Sequence, residues 1–226
     1  MLNKEIHEKY MKNLLFAIFT HKIGYFLAFK GGTLAYLVYQ LSRFSTDIDI
    51  DILDIKKEEQ IIQGIREILL KYGEIKNETL GKTIHRWIFR YDERSMNIKI
   101  ELNKRIWQNN KYNHENIENT QILCMAKECI FANKLVALSE RFYSRDLYDV
   151  YFFFSQEFPI YDAIIYERTG LNTKGFLQQL TKDLPKHFTE NSVLTGLGEI
   201  LDDKQKLRVK KSLLKDTIEK IKTHIL

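Results

Sequence analysis

Cysteine and proline are scarce in this chain, with two of each in 226 residues. Cys124 and Cys129 stand five apart with no other thiol, a spacing that matches no zinc site and leaves no disulfide framework. A reducing compartment, hence a cytoplasmic location, is expected. Only Pro159 and Pro185 interrupt the chain, and it carries no repeat or low-complexity linker, so a mainly ordered protein is expected. No apolar run is long enough to cross a bilayer, and the opening Met1-Leu2-Asn3-Lys4-Glu5-Ile6-His7-Glu8 has no apolar signal core. Membrane association is not expected. The hydrophobic share of 44% is nevertheless enough for a real core, in one domain or two small ones.

What is present is concentrated early. Phe29-Lys30-Gly31-Gly32-Thr33 is followed, after thirteen residues, by Asp47-Ile48-Asp49-Ile50-Asp51. Strand side chains alternate between faces, so Asp47, Asp49 and Asp51 share one face while Ile48, Ile50 and Ile52 share the other. The isoleucines can be buried. The carboxylates then crowd together and repel, and a bound cation removes that conflict. Oxygen-rich sites suit Mg²⁺ or Mn²⁺. A solvent-facing edge strand with hydrated acids would show the same alternation. The glycine pair upstream favours the metal.

Tyr25–Phe29 reads as a buried strand and Leu34–Tyr39 as the start of a helix. Gly31 and Gly32 lie at the junction. Glycine permits positive φ and leaves no side chain between backbone and ligand. The first N–H groups of a helix point at whatever anion docks there, and Thr33 can cap the turn or donate to a phosphate. An ordinary strand-to-helix turn would also use Gly-Gly-Thr. Together the two segments suggest a phosphate cradle beside a divalent-metal site, in an enzyme that moves a nucleotide or phosphoryl group.

Gly31-Gly32-Thr33, then Arg43-Phe44-Ser45-Thr46-Asp47-Ile48-Asp49, resembles the first motif of the AbiEii/AbiGii toxin family of nucleotidyltransferases, within the DNA polymerase β-like superfamily. A second block, Lys134-Leu135-Val136-Ala137-Leu138, then Arg141 and Arg145-Asp146-Leu147-Tyr148-Asp149-Val150, is similar to that family's downstream pattern. The resemblance covers about residues 24 to 154. It implies catalytic roles for Asp47, Asp49, Lys134 and Asp149, with Lys134 near the triphosphate. Gly31, Gly32, Thr33, Arg43, Ser45, Lys134 and Arg145 are the implied nucleotide-binding residues. Superfamily members place a third acid on a later strand. In Asn97-Ile98-Lys99-Ile100-Glu101-Leu102, Glu101 is best placed by pattern to join Asp47 and Asp49 as a metal ligand. His85 and Arg86 lie between strands, where they can face a cleft.

The fold class expected is α+β, a nucleotidyltransferase-type mixed sheet with flanking helices at residues 1–122 and a helical domain at 123–226 that completes the active-site cleft. Helices are expected at 2–19, 33–42 and 57–71. Strands are expected at 46–53, 74–80, 83–91 and 97–103. Residues 104–120 are polar and read as loop, and nearly everything after 125 reads as helix. Tyr151-Phe152-Phe153-Phe154 reads as core. The net charge of +5 lies mostly at the end of the chain, where residues 201–226 hold eight Lys and Arg against four acids. A basic end suits RNA, and equally a solvated helix face. Leu207, Leu214, Ile218, Ile221 and Ile225 form a stripe at helical spacing, which implies packing.

The resemblance implies a Mg²⁺-dependent transferase that uses an NTP, acting as the toxin of a toxin–antitoxin or phage-defence pair. Some relatives extend the 3′ end of tRNA, so RNA and a cognate antitoxin are the expected partners. A small-molecule nucleotidyltransferase of the antibiotic-modifying kind would share the metal strand. A non-catalytic module that kept the fold would share neither NTP nor Mg²⁺ binding.

Overall fold

The alternating Asp-Ile segment does form a strand, and it lies at the centre of a sheet rather than its edge. The computed structural model describes residues 3–93, 96–198 and 200–225. Its sheet has seven strands in the order β3-β4-β5-β2-β1-β7-β6. These are β1 (Leu27–Lys30), β2 (Asp47–Ile52), β3 (Glu74–Leu80), β4 (Ile84–Arg90), β5 (Ile98–Asn103), β6 (Tyr112–Ile117) and β7 (Thr120–Met125). The β2–β5 and β1–β7 pairs are parallel and the others antiparallel. Ile48, Ile50, Ile98, Ile100, Leu102, Trp87 and Phe89 are fully buried on one face. Helix α1 (Lys4–Thr20) packs on β2 and β7, and α3 (Glu58–Tyr72) on α1 and β3. Leu2, the first residue of the expected N-terminal helix, lies outside the described residues.

The chain divides into two compact units. The first holds residues up to Gln40, Phe44–Ile106 and Tyr112–Met125. The second holds Leu41–Arg43, Trp107–Lys111 and the chain from Ala126 onward. A boundary at residue 122 would cut β7, which pairs with β1 and β6.

Three local expectations change. The segment expected to be a buried strand from Tyr25 begins as a 3-10 turn, Lys22–Phe26, and leaves Tyr25 88% exposed. The next helix, α2, spans only Gly31–Leu37. Part of the expected loop 104–120 is β6, an edge strand in which only Ile117 is buried. Its run Tyr-Asn-His-Glu-Asn has no apolar alternation to betray it, because an edge strand with a wet face needs none. The turn to β7 is made by Glu118, at φ 52°.

The second unit contains α4 (Lys127–Arg141), α5 (Ser144–Ser155), α6 (Asp162–Thr169), α7 (Thr173–His187) and α8 (Asp203–Ile225). Phe131 meets Phe153 and Phe154 at ring distances of 5.4 and 4.8 Å, and Phe152, Phe153 and Phe154 are buried as expected of core. The packed stripe of α8 is Val209, Leu213, Thr217 and Ile221. Leu207, assigned to that stripe from sequence, is 63% exposed. Residue size misled the phase: Val209 and Leu213 are four apart and face the core, whereas Leu207 does not.

Candidate active site

The register builds a charged row across four strands of the first unit. Arg86 on β4 lies opposite Glu101 on β5, Glu101 beside Asp49 on β2, and Asp49 opposite Lys30 on β1. Two acids therefore stand side by side with a cation at each end. The row on one side sets Asp47 beside Lys99, and the row on the other side sets Asp51 beside Asn103. Alternation along each strand puts all of these on the face opposite the buried isoleucines.

Each of these acids but one has a partner. Lys99 Nζ lies 3.1 Å from Asp47 Oδ2 and 3.6 Å from Glu101 Oε1, so its ammonium sits between them. Arg86 Nε donates to Glu101 Oε1 at 2.7 Å. Asp51 is fully buried; it pairs with Lys30 at 2.5 Å and accepts from Asn103 at 3.0 Å and Tyr112 at 2.9 Å. Asp49 has no hydrogen-bond or ion-pair partner among the described residues. Burial, then the charges of Asp47 and Glu101, push its carboxyl up to about 6, against the pull of Lys30 and Lys99. Burial also opposes ionisation of Glu101, but Lys99 and Arg86 outweigh it and hold its pKa below the usual value.

Gly31 explains how Asp49 fits. Its φ is 82°, and a Cβ there would stand 2.8 Å from Asp49 Cβ and overlap Asp49 Oδ2. The positive φ falls on Gly31 and not on Gly32, which is helical. Thr33 does not cap the turn: Lys30 occupies the N-cap position without a side-chain bond. Thr33 is fully buried, donates to the Asp47 carbonyl oxygen and lies 2.8 Å from the Ser45 hydroxyl. Ser45 is buried too. Both hydroxyls thus fix the entry to β2. His7 performs a similar task, fully buried with Nε2 3.2 Å from the Thr46 carbonyl oxygen. It stands one turn before Met11 on the packed side of α1, and that position was the available signal.

The fit of a divalent cation rests on the donor set. Asp47, Asp49 and Glu101 offer hard carboxylate oxygens under mutual repulsion, which is the chemistry Mg²⁺ or Mn²⁺ takes. No three metal-binding side chains converge on one point among the described residues. Lys99 shares the Glu101 face of β5 by alternation. Arg86 also reaches this face, whereas His85 turns to the other and lies 2.7 Å from Glu58.

The second unit assembles the downstream block into a chain of ion pairs. Lys134 Nζ lies 2.9 Å from Asp146 Oδ1 and 3.0 Å from Asp149 Oδ2. Arg43 grips both oxygens of Asp149 at 2.6 and 2.7 Å. Arg141 does the same to Asp146 at 2.6 and 3.0 Å. Arg43, Asp146 and Asp149 are buried, and Lys134 is paired rather than snorkelling. Burial penalises the Lys134 ammonium, yet Asp149 and Asp146 raise its pKa above the ordinary value. Arg43 spends its fork on Asp149, and Arg145, exposed, gives its Nε to the Gly196 carbonyl oxygen at 2.8 Å. No helix among the described residues is long and apolar enough to cross a membrane.

This mixed sheet with a helical second unit is a nucleotidyltransferase fold. The chain aligns with JHP933 from Helicobacter pylori at TM-score 0.57 and 21% identity, covering 99% of this chain and 96% of that one. A second H. pylori structure, described as a candidate nucleotidyltransferase, aligns at TM-score 0.58 and 19% identity over 98% and 97%. An antigenic nucleotidyltransferase-like protein from Paracoccidioides brasiliensis aligns at TM-score 0.52 and 16% identity, over 84% of this chain and 94% of that one. No curated protein matches the sequence. The model of the nucleotidyl transferase AbiEii toxin family, of type IV toxin–antitoxin systems, matches residues 13–211, and the chain belongs to that family. Membership implies an antitoxin counterpart.

Proposed function

We propose that the chain transfers a nucleotide from an NTP to an acceptor hydroxyl at the 3′ end of a tRNA, with Mg²⁺ as cofactor, as the toxin of a toxin–antitoxin or phage-defence pair. One observation carries this reading. Asp49 stands in register beside Glu101, one pleat from Asp47, with no ion-pair partner among the described residues. Charge left uncompensated on a sheet face costs stability, and a ligand that neutralises it explains its retention.

Asp47, Asp49 and Glu101 would hold the Mg²⁺. When bound, Mg²⁺ neutralises charge on the triphosphate and lowers the pKa of the acceptor hydroxyl. The remaining work belongs to the chain. Gly31 lets Asp49 lie against the start of α2, and the Gly31-Gly32 backbone leaves room for phosphate. Thr33 and Ser45 keep β2 in register with that turn. Lys134 offers a cation to the triphosphate, where charge spreads over the phosphoryl oxygens during transfer. Asp149 holds Lys134, and Arg43 holds Asp149. The acceptor oxygen bonds to the α-phosphorus as the bond to pyrophosphate breaks, and positioning supplies much of the rate.

Incubation with each α-labelled NTP, Mg²⁺ and total cellular RNA tests the reading. One RNA size class should carry label, and a chelator should abolish it. Label in a small-molecule fraction would point instead to an antibiotic-type acceptor. No labelled product with any NTP would overturn the proposal.

A further inference from the structure

The excess positive charge of the chain is not spread evenly over α8. At 3.6 residues per turn, Lys204, Arg208, Lys211, Lys215 and Lys222 fall within an arc of about 60° along roughly 27 Å of helix. All five are exposed. The arc lies opposite the buried stripe of Val209, Leu213, Thr217 and Ile221. The acids of the helix fall outside it: Asp203 and Asp216 lie well around the cylinder and Glu219 at its edge. Lys204, Lys211, Lys215 and Lys222 have no ion-pair partner among the described residues. Arg208 donates to the Tyr151 hydroxyl at 2.7 Å and lies over its ring, which holds the guanidinium in place. The ordinary i,i+4 pairing of a solvated helix is missing along this line, although acids are available on the same helix.

We infer that this face of α8 is a binding track for an RNA backbone, the substrate class that the proposed transfer requires and on which this inference rests. A straight row of cations with a rise of about 4.5 to 6 Å between the first four suits a strand that carries its charges at regular intervals. A membrane surface would call for several apolar side chains on the same face to enter the lipid, and Leu207 alone flanks the stripe as an exposed one.

The test is equilibrium binding of a fluorescein-labelled tRNA by anisotropy over a salt series, with no NTP and no Mg²⁺. Lys204, Lys211, Lys215 and Lys222 are changed together to Gln. Lys71, Lys82, Lys174 and Lys182, exposed and outside α8, are changed together to Gln as a control that removes the same charge. The stripe variant should lower the magnitude of the slope of log K against log salt by about 3, at about 0.7 to 0.9 per lost contact. The control should change it by less than 1. Circular dichroism should be unchanged in both, since every substituted side chain is exposed. Equal losses in the two variants would mean that net charge alone attracts RNA, and would overturn the track. So would an unchanged slope in the stripe variant, or loss of binding to phosphatidylserine vesicles without loss of RNA binding. Asp49→Asn separates the two proposals: it should bind RNA normally while failing to transfer, so either one can fail alone.

Discussion

Substituting Gly31 by alanine strikes the site through the backbone and leaves every charge in place. Two costs follow from the structure. At φ 82° an L-residue carries left-handed strain of about 1–2 kcal/mol. The new Cβ would also meet the Asp49 side chain, with Asp49 Cβ 2.8 Å and Cγ 2.9 Å away. The carboxylate must swing off its rotamer, which adds about 0.5–1.5 kcal/mol. The sum, about 1.5–3.5 kcal/mol, should lower the melting temperature by roughly 3–14 °C for a chain of this size. Displacement of Asp49 by about 1 Å should cut transfer about a hundredfold. In an Asp49→Gly background every side-chain atom that the new Cβ meets is gone, and Gly31→Ala should then cost only about 1–2 kcal/mol. Thermal melting of the four proteins closes the cycle, and transfer assays accompany it. If Gly31→Ala melts and transfers like the parent, the close approach of Asp49 to this turn is irrelevant and the site has been drawn wrongly.

Other outcomes follow from the ion pairs. Burial pushes the Asp146 carboxyl upward, but Lys134 and Arg141 outweigh it and bring it down to about 2. A depressed carboxylate stabilises the fold above its unfolded pKa near 3.8 and loses that contribution as pH falls through 2. The contribution is about 2 kcal/mol. Acid titration followed by near-ultraviolet circular dichroism should therefore show a low-pH loss that Asp146→Asn removes; an identical acid profile in that variant would contradict it. Lys134→Met should cost about 1–3 kcal/mol in chemical denaturation, because each acid it bridges keeps one arginine. Its transfer rate should fall far further than that loss of stability explains, and Lys134→Arg should restore only part of it. A rate close to the parent's would confine Lys134 to a structural role. Lys99→Met removes the ammonium wedged between Asp47 and Glu101, so Mn²⁺ should bind about tenfold tighter in calorimetry without NTP. Weaker Mn²⁺ binding would show that Lys99 supports the site rather than competing for it.

The strand that carries the acids was legible because its alternation is written twice, in the aspartates and in the isoleucines between them. Glu101 was legible from pattern, and the register sets it beside Asp49. The lysines were not legible as partners. Lys30 and Lys99 lie on other strands, and only the pairing order brings them to the acids. Thr33 and Ser45 look like phosphate ligands by residue type, yet both are buried, Thr33 on the Asp47 carbonyl oxygen and Ser45 against the Thr33 hydroxyl. Asp51 looked equivalent to Asp47 and Asp49 by alternation, but Asn103 and Tyr112 reach it from β5 and β6, and nothing local announces that. The buried ion-pair chain of Lys134 needed Arg43, more than ninety residues upstream, to be complete.

The central claim is that Asp47, Asp49 and Glu101 form a divalent-cation site. Mn²⁺ binding to the intact protein, measured by electron paramagnetic resonance against Asp49→Asn and Glu101→Gln, tests it without depending on the acceptor. The account predicts a bound Mn²⁺ signal in the parent protein that each substitution abolishes; the melting temperature should stay level or rise in Asp49→Asn, because a repelling charge has been removed, and fall slightly in Glu101→Gln, which gives up the pairing with Arg86 and Lys99. Unchanged Mn²⁺ binding in both variants would contradict it.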